Sequence, residues 1–153
     1  MDRLWTENRW GQLMALAKPT HLRRGCQRNC TGQWPGLVNF ECDHTSTVMS
    51  DAPGTLNGVN SGMCALNLAY QRRPARLLLF GFDMRRQGDR PYWWKPYEWR
   101  PKGATSGGKY AQWARQFDQL APQFKAAGIE VINGCKNSAI TAFPRVSPQT
   151  LLG

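Results

Sequence analysis

The chain has no run of roughly 18 apolar residues, the length a helix needs to cross a bilayer, so no helical membrane span is expected. Its opening stretch, Met1 to Trp10, has no apolar signal core, which predicts a chain that is not exported. Histidine is scarce, with only His21 and His44 present. No Ser-His-Asp or Cys-His order stands out, and no Gly-rich loop of the P-loop type occurs. Internal repeats and low-complexity tracts are absent. The five cysteines (Cys26, Cys30, Cys42, Cys64 and Cys135) are odd in number and irregularly spaced. That argues against a secreted disulfide scaffold and for reduced thiols in a cytoplasmic setting. Acidic residues are the scarce charge: 10 against 20 basic ones, for a net charge of +10. Such an excess suits a polyanionic partner, whether nucleic acid, nucleotide or phosphorylated small molecule, although a merely basic surface has the same composition.

At 153 residues, the length is that of one domain, 1–153, large enough to bury a core. Arg3 to Lys18 reads as a helix ended by Pro19, and His21 to Pro35 as a loop. Leu37 to Phe40 is a short strand candidate. The Ser/Thr/Asp/Gly-rich stretch 41–60 holds a brief strand near Thr47 to Met49 and a turn at Ala52-Pro53-Gly54. Ser61 to Arg72 reads as a helix with Met63, Leu66, Ala69 and Tyr70 on its apolar face. Arg76 to Phe82 follows as a strand whose continuous apolar filling predicts cover on both faces. Lys109 to Ala127 is the longest helix. Its stripe of Trp113, Phe117, Leu120 and Phe124 should bend or break at Pro122, and Gly128 should stop it. Ile129 to Ile132 is a second buried strand. A turn spans Asn133 to Ser138, and short helical or irregular pieces follow.

Three short motifs carry the chemistry. Asn60-Ser61-Gly62 opens a helix, where orphan N–H groups and the helix dipole favour an anion and Gly62 permits close approach; equally, Asn60 or Ser61 is a helix cap. Asp83 follows the strand before it. A carboxylate there binds a ribose hydroxyl, holds a metal or caps a turn. Asn137-Ser138 either contacts a base or sugar or caps the next piece of chain. Between them, the loop from residue 85 to 108 interleaves Arg85, Arg86, Arg90, Lys95, Arg100 and Lys102 with Tyr92, Trp93, Trp94, Tyr97 and Trp99. Cations that neutralise phosphate beside rings that stack on bases suit single-stranded nucleic acid or a nucleotide lid. His21, Cys26, Cys30, Cys42 and His44 have zinc-ligand chemistry, but their spacing, H-x4-C-x3-C-x11-C-x-H, lacks paired C-x2-C knuckles. A structural zinc is therefore the weaker reading of this cluster; otherwise Cys42 and Cys64 read as small buried hydrophobes.

In the order Asn60-Ser61-Gly62, Gly81-Phe82-Asp83-Met84 and Asn137-Ser138, the chain resembles a group of phage-encoded Rossmann-like proteins. These look related to the 6-hydroxymethyl-dihydropterin pyrophosphokinase-like family and to one group of bacterial sialyltransferases. The resemblance spans residues 58 to 148. It implies that Asn60, Ser61, Gly62, Asp83, Asn137 and Ser138 line a nucleotide cleft, and that Arg85, Arg86, Tyr92 and Tyr97 close over phosphate. It also implies a nucleotide or nucleotide sugar as ligand, admits a divalent metal, and places a phage-encoded protein in the cytoplasm of a bacterial host. The family opens on a strand and a Gly-rich loop that have no counterpart here, so a truncated or diverged member is expected. The sialyltransferases place a histidine base between the second and third motifs, whereas His21 and His44 both lie upstream. No catalytic base is identified.

The expected fold class is α/β, three-layer and Rossmann-like, with a mostly parallel, short-stranded sheet and helices on both faces. The expected function is nucleotide or nucleotide-sugar binding, with glycosyl or phosphoryl transfer as the class of any reaction, by resemblance alone. One alternative is a basic nucleic-acid-binding protein on the same scaffold. Another is a virion structural or assembly protein, a homo-oligomer with tryptophans at its interface. No membrane partner is expected.

Overall fold

The computed structural model describes residues 23–26, 38–86 and 107–152. The predicted helix 3–18 and most of the loop 85–108, with Tyr92 and Tyr97, lie outside them. The chain divides between Arg72 and Arg73 into two compact units. Together they hold mixed helices and short parallel strands, an α/β composition. The strands form two sheets, one of three strands and one of two.

In the first unit, β1 (Arg23–Cys26), β2 (Val38–Asp43) and β3 (Thr55–Asn57) lie in that order, each parallel to its neighbour. Leu56 pairs with Cys42 across the ladder, and Phe40, Cys42, Leu56 and Cys64 form a buried cluster against which Leu68 packs. β1 corrects the reading of His21 to Pro35 as loop. Arg-Arg-Gly-Cys has no apolar alternation, and its strand state comes from backbone pairing with β2, which composition does not reveal.

The brief strand expected near Thr47 to Met49 is also corrected. Side chains capture the backbone groups that a ladder there would use. Ser46 Oγ accepts from Val48 N at 3.2 Å, and Asn57 Nδ2 donates to Val48 O at 2.9 Å. Short polar side chains often compete with regular structure in this way. The strand falls instead at Thr55–Asn57, after the predicted turn at Pro53-Gly54.

Helix α1 (Ser61–Gln71) starts where expected, with Asn60 Oδ1 accepting from Met63 N at 3.0 Å. Met63, Leu66 and Tyr70 are buried on its inner face, together with Asn67, which is fully buried. Asn67 Oδ1 accepts from Asn57 N at 2.7 Å and from Ser50 N at 2.9 Å, while Nδ2 donates to Ser50 O at 2.8 Å. One turn on, Gln71 Nε2 donates to the carbonyls of Ser50, Ala52 and Thr55. Two amide side chains of one helix thus supply the partners that the irregular β2–β3 crossover cannot find within itself.

In the second unit, β4 (Arg76–Leu79) pairs in parallel with β5 (Glu130–Asn133). The continuous cover predicted for β4 is corrected. Leu79 is buried, but Leu78 is 38% exposed and Phe80 just beyond is 44% exposed. The apolar run therefore presents one face to solvent, while β5 buries Val131, Ile132 and Asn133. Between the strands runs α2 (Gly107–Ala126). Phe117 and Leu120 are fully buried and Phe124 nearly so, each such side chain being worth about 1.5–3 kcal/mol. The helix continues through Pro122 without a break. Leu120 before the proline and Phe124 after it are buried. Gly128, at φ +69, closes the helix, and Ile129 N reaches back to Phe124 O at 2.9 Å. A short helix, α3 (Pro148–Leu152), follows an irregular stretch in which Ile140 and Phe143 are buried.

Replacing Asn67 by alanine leaves the partly buried N–H groups of Ser50 and Asn57 without their acceptor. The expected loss is about 2–4 kcal/mol, read as a lower midpoint in chemical denaturation of the variant. A change below about 0.5 kcal/mol would show that water replaces the amide.

Candidate functional site

In the first unit, the candidate residues sit on the tight connection from β3 to α1. Gly58 leaves the strand, and its N–H donates to Asp43 O at 2.9 Å. A Cβ at Gly58 would lie 2.7 Å from Met63 Cβ and 2.8 Å from Cys64 N, so only glycine lets the first turn of α1 come this close to the strand end. Asn60 spends Oδ1 on the cap, and its Nδ2 is buried without a partner. Ser61 is exposed and Gly62 half-buried in the first turn. The close approach assigned to Gly62 from sequence belongs, for the chain's own packing, to Gly58. Its signal was the Gly-x-x-Ser spacing ahead of the helix.

His44, at the carboxyl end of β2, faces the same connection, with Nδ1 2.9 Å from Gly58 O. The Cys64 thiol lies 3.5 Å from the same carbonyl, and Cys42 Sγ lies 3.9 Å from Cys64 Sγ. Both thiols are free and buried, as the sequence suggested. The hydrogen bond to Cys64 and then burial push the Cys42 thiol up. The same bond holds Cys64 below the usual thiol range, against its own burial. Beside them, Asp43 accepts from the Thr45 hydroxyl at 2.6 Å and from the Thr45 and Ser46 amides. Those bonds, the hydroxyl first, hold its carboxyl below the usual carboxylate range.

Of the zinc candidates, Cys42 is turned toward Cys64 and His44 toward Gly58; Cys26 lies in β1, and His21 and Cys30 fall outside the described residues. Among the described residues, no three His, Cys, Asp or Glu side chains are placed to hold a metal ion.

In the second unit, the loops that leave the carboxyl ends of β4 and β5 are stitched together. Gly134 N donates to Leu79 O at 2.9 Å, and the thiol of Cys135 accepts from Phe82 N at 3.2 Å. Ser138 Oγ donates to Phe82 O at 2.6 Å and accepts from Ile140 N at 3.2 Å. Ala139 N donates to Asp83 O at 2.8 Å, and Arg85 Nη1 to Asn137 O at 3.1 Å. Asp83, Arg85, Asn137 and Ser138 are therefore brought together, although 52 residues of sequence separate Arg85 from Asn137. Ser138 is buried and its hydroxyl is taken up by loop contacts, so it positions Asn137, which is exposed. Asp83 is half-buried and Arg86 is exposed.

Sequence reasoning missed Arg145. Its Nη2 donates to Ser138 O at 2.8 Å and to Ile140 O at 3.1 Å, clamping the far side of the loop. Its only sequence signal was a basic residue after Phe143-Pro144.

Among the described residues, no helix is long and apolar enough to cross a membrane. Comparison with known proteins returns no family model, no curated protein and no solved structure that matches the chain.

Two outcomes follow from this geometry. Gly58→Ala forces helix backbone and strand end apart, with an expected loss of about 1–3 kcal/mol, measurable as a drop in thermal midpoint. For Asp43 the folded pKa lies below the unfolded one. Its contribution to stability is therefore complete above the unfolded value of about 3.9 and is lost as pH falls through the folded value. Carboxyl NMR titration should place the Asp43 midpoint below that of an unstructured aspartate, and Thr45→Ala should raise it. An unmoved midpoint in the variant would remove the hydroxyl as the cause.

Proposed function

We propose that the chain is a Rossmann-like, three-layer α/β protein of the phage type that binds a nucleotide or nucleotide sugar at the ends of its parallel strands. The observation that carries this reading is positional. Every described candidate for nucleotide contact sits either at the amino end of α1, just after β3, or on the loops leaving β4 and β5. Carboxyl ends of parallel strands and helix amino ends are where α/β proteins collect anionic ligands, because backbone N–H groups point there unpaired.

In this reading the Asp83 carboxylate of the second unit takes a sugar hydroxyl, and in the first unit, taken by itself, the amides of Ser61 and Gly62 meet an anion such as a phosphate. Arg85 and Arg86 neutralise charge and Asn137 contacts base or sugar; Tyr92 and Tyr97, the proposed phosphate contacts, lie outside the described residues. Glycosyl or phosphoryl transfer is the reaction class that such a ligand would serve.

The net charge of +10 favours a second reading, in which the same scaffold binds nucleic acid. A thermal-shift panel of nucleoside mono-, di- and triphosphates and nucleotide sugars separates the two. Under the first reading, one ligand class raises the melting temperature, by about 2.7 kcal/mol of stabilisation at 100-fold excess over Kd, and Asp83→Ala weakens binding about tenfold. No shift with any member, together with salt-dependent retention of single-stranded DNA or RNA that Arg85→Ala/Arg86→Ala abolishes, would replace it with the second.

A further inference from the structure

Within the first unit, Cys42 on β2 and Cys64 on α1 stand 22 residues apart in sequence with their sulfurs 3.9 Å apart. Both are free thiols, exposed by only 8% and 7%. The Cys64 thiol also donates to the Gly58 carbonyl at 3.5 Å. A disulfide needs sulfurs at about 2.05 Å, so bridging draws the two sulfurs together from 3.9 Å. Cys135 is committed to Phe82 N and Leu79 O in the other unit.

We propose that Cys42 and Cys64 form an intramolecular disulfide when the chain meets a peroxide, and that this bond clamps the first turns of α1 to β2 across the Gly58–Asn60 connection. A peroxide is chosen because it is small enough to reach thiols this closely covered. Cys64 attacks first. It lies near the amino end of a helix, where the dipole favours a thiolate, and its thiol is held below the usual range by the bond from Cys42. Its sulfur takes one peroxide oxygen, the O–O bond breaks, and the departing hydroxide leaves as water with the proton from Cys64. Cys42 then attacks the Cys64 sulfenic acid; the S–O bond breaks, and hydroxide leaves as water with the proton from Cys42. The two sulfurs lose two electrons in total, and the peroxide is reduced to two waters. The closed loop removes freedom from the unfolded chain, so the oxidised form is the more stable one.

This inference is independent of the nucleotide reading. The test uses the full, fully reduced chain. After hydrogen peroxide treatment, remaining thiols are alkylated and the chain is digested without reductant. The expected result is a cross-linked peptide pair containing Cys42 and Cys64, about 2 Da lighter than the two reduced peptides together. Dithiothreitol should reverse it, and the melting temperature of the oxidised chain should rise by about 5–10 °C. Cys64→Ser should remove both the bridge and the shift. Recovery of Cys42 and Cys64 as alkylated thiols or as sulfinic acids would overturn the proposal, as would bridges to Cys26, Cys30 or Cys135 instead. If the bridge forms with no rise in melting temperature, the clamp is wrong. The peptide map needs no variant, so a misfolded Cys64→Ser leaves the test decisive.

Discussion

Short parallel strands leave much of their connecting backbone outside any ladder, and each freed N–H or C=O must find a partner if it is buried. The amide of Asn67 answers this in the first unit. From the buried face of α1 it takes two backbone donors and gives to one backbone carbonyl, tying β3 and the crossover before it to the helix. Gln71 extends the same contact by one turn. Around that polar bolt the apolar cluster of Phe40, Cys42, Leu56 and Cys64 closes. Apolar area supplies the larger energy, but it is indifferent to register; the amide accepts one arrangement of the crossover only.

The second unit meets the same constraint at the strand ends. The hydroxyl of Ser138, the guanidinium groups of Arg85 and Arg145, and the thiol of Cys135 take up the backbone groups of the two loops. The residues nominated as ligand contacts are, in part, the residues that hold the loops. The two roles are compatible, since a binding loop needs its own geometry secured before it meets a ligand. Asn137 is exposed and Asp83 half-buried, while the Ser138 hydroxyl is committed to the loops themselves.

Much of the architecture was readable from spacing. The helix at Ser61, its Asn60 cap, the long helix with its Trp113 to Phe124 stripe, the Gly128 stop and the strand after it all follow local rules that neighbouring residues obey without outside help. β1 and β3 were not readable. Arg-Arg-Gly-Cys and Thr-Leu-Asn are too short to display a period, and each is a strand because β2 lies beside it. The run Arg76 to Phe82 differs from its expected cover for a related reason, since hydrophobicity reports what a segment tolerates, not what covers it.

The candidate motifs divide in the same way. Chemistry that depends on residue type and on one turn of chain was present in the linear order: a basic excess, a cap opening a helix, an acid after an apolar run. The pairing of Arg85 with Asn137, the commitment of Ser138 to Phe82, and the meeting of Cys42 with Cys64 arise only on folding. Contacts between residues this far apart in sequence form when parallel strands bring their ends side by side, and no local preference of either partner encodes the neighbour it will find there.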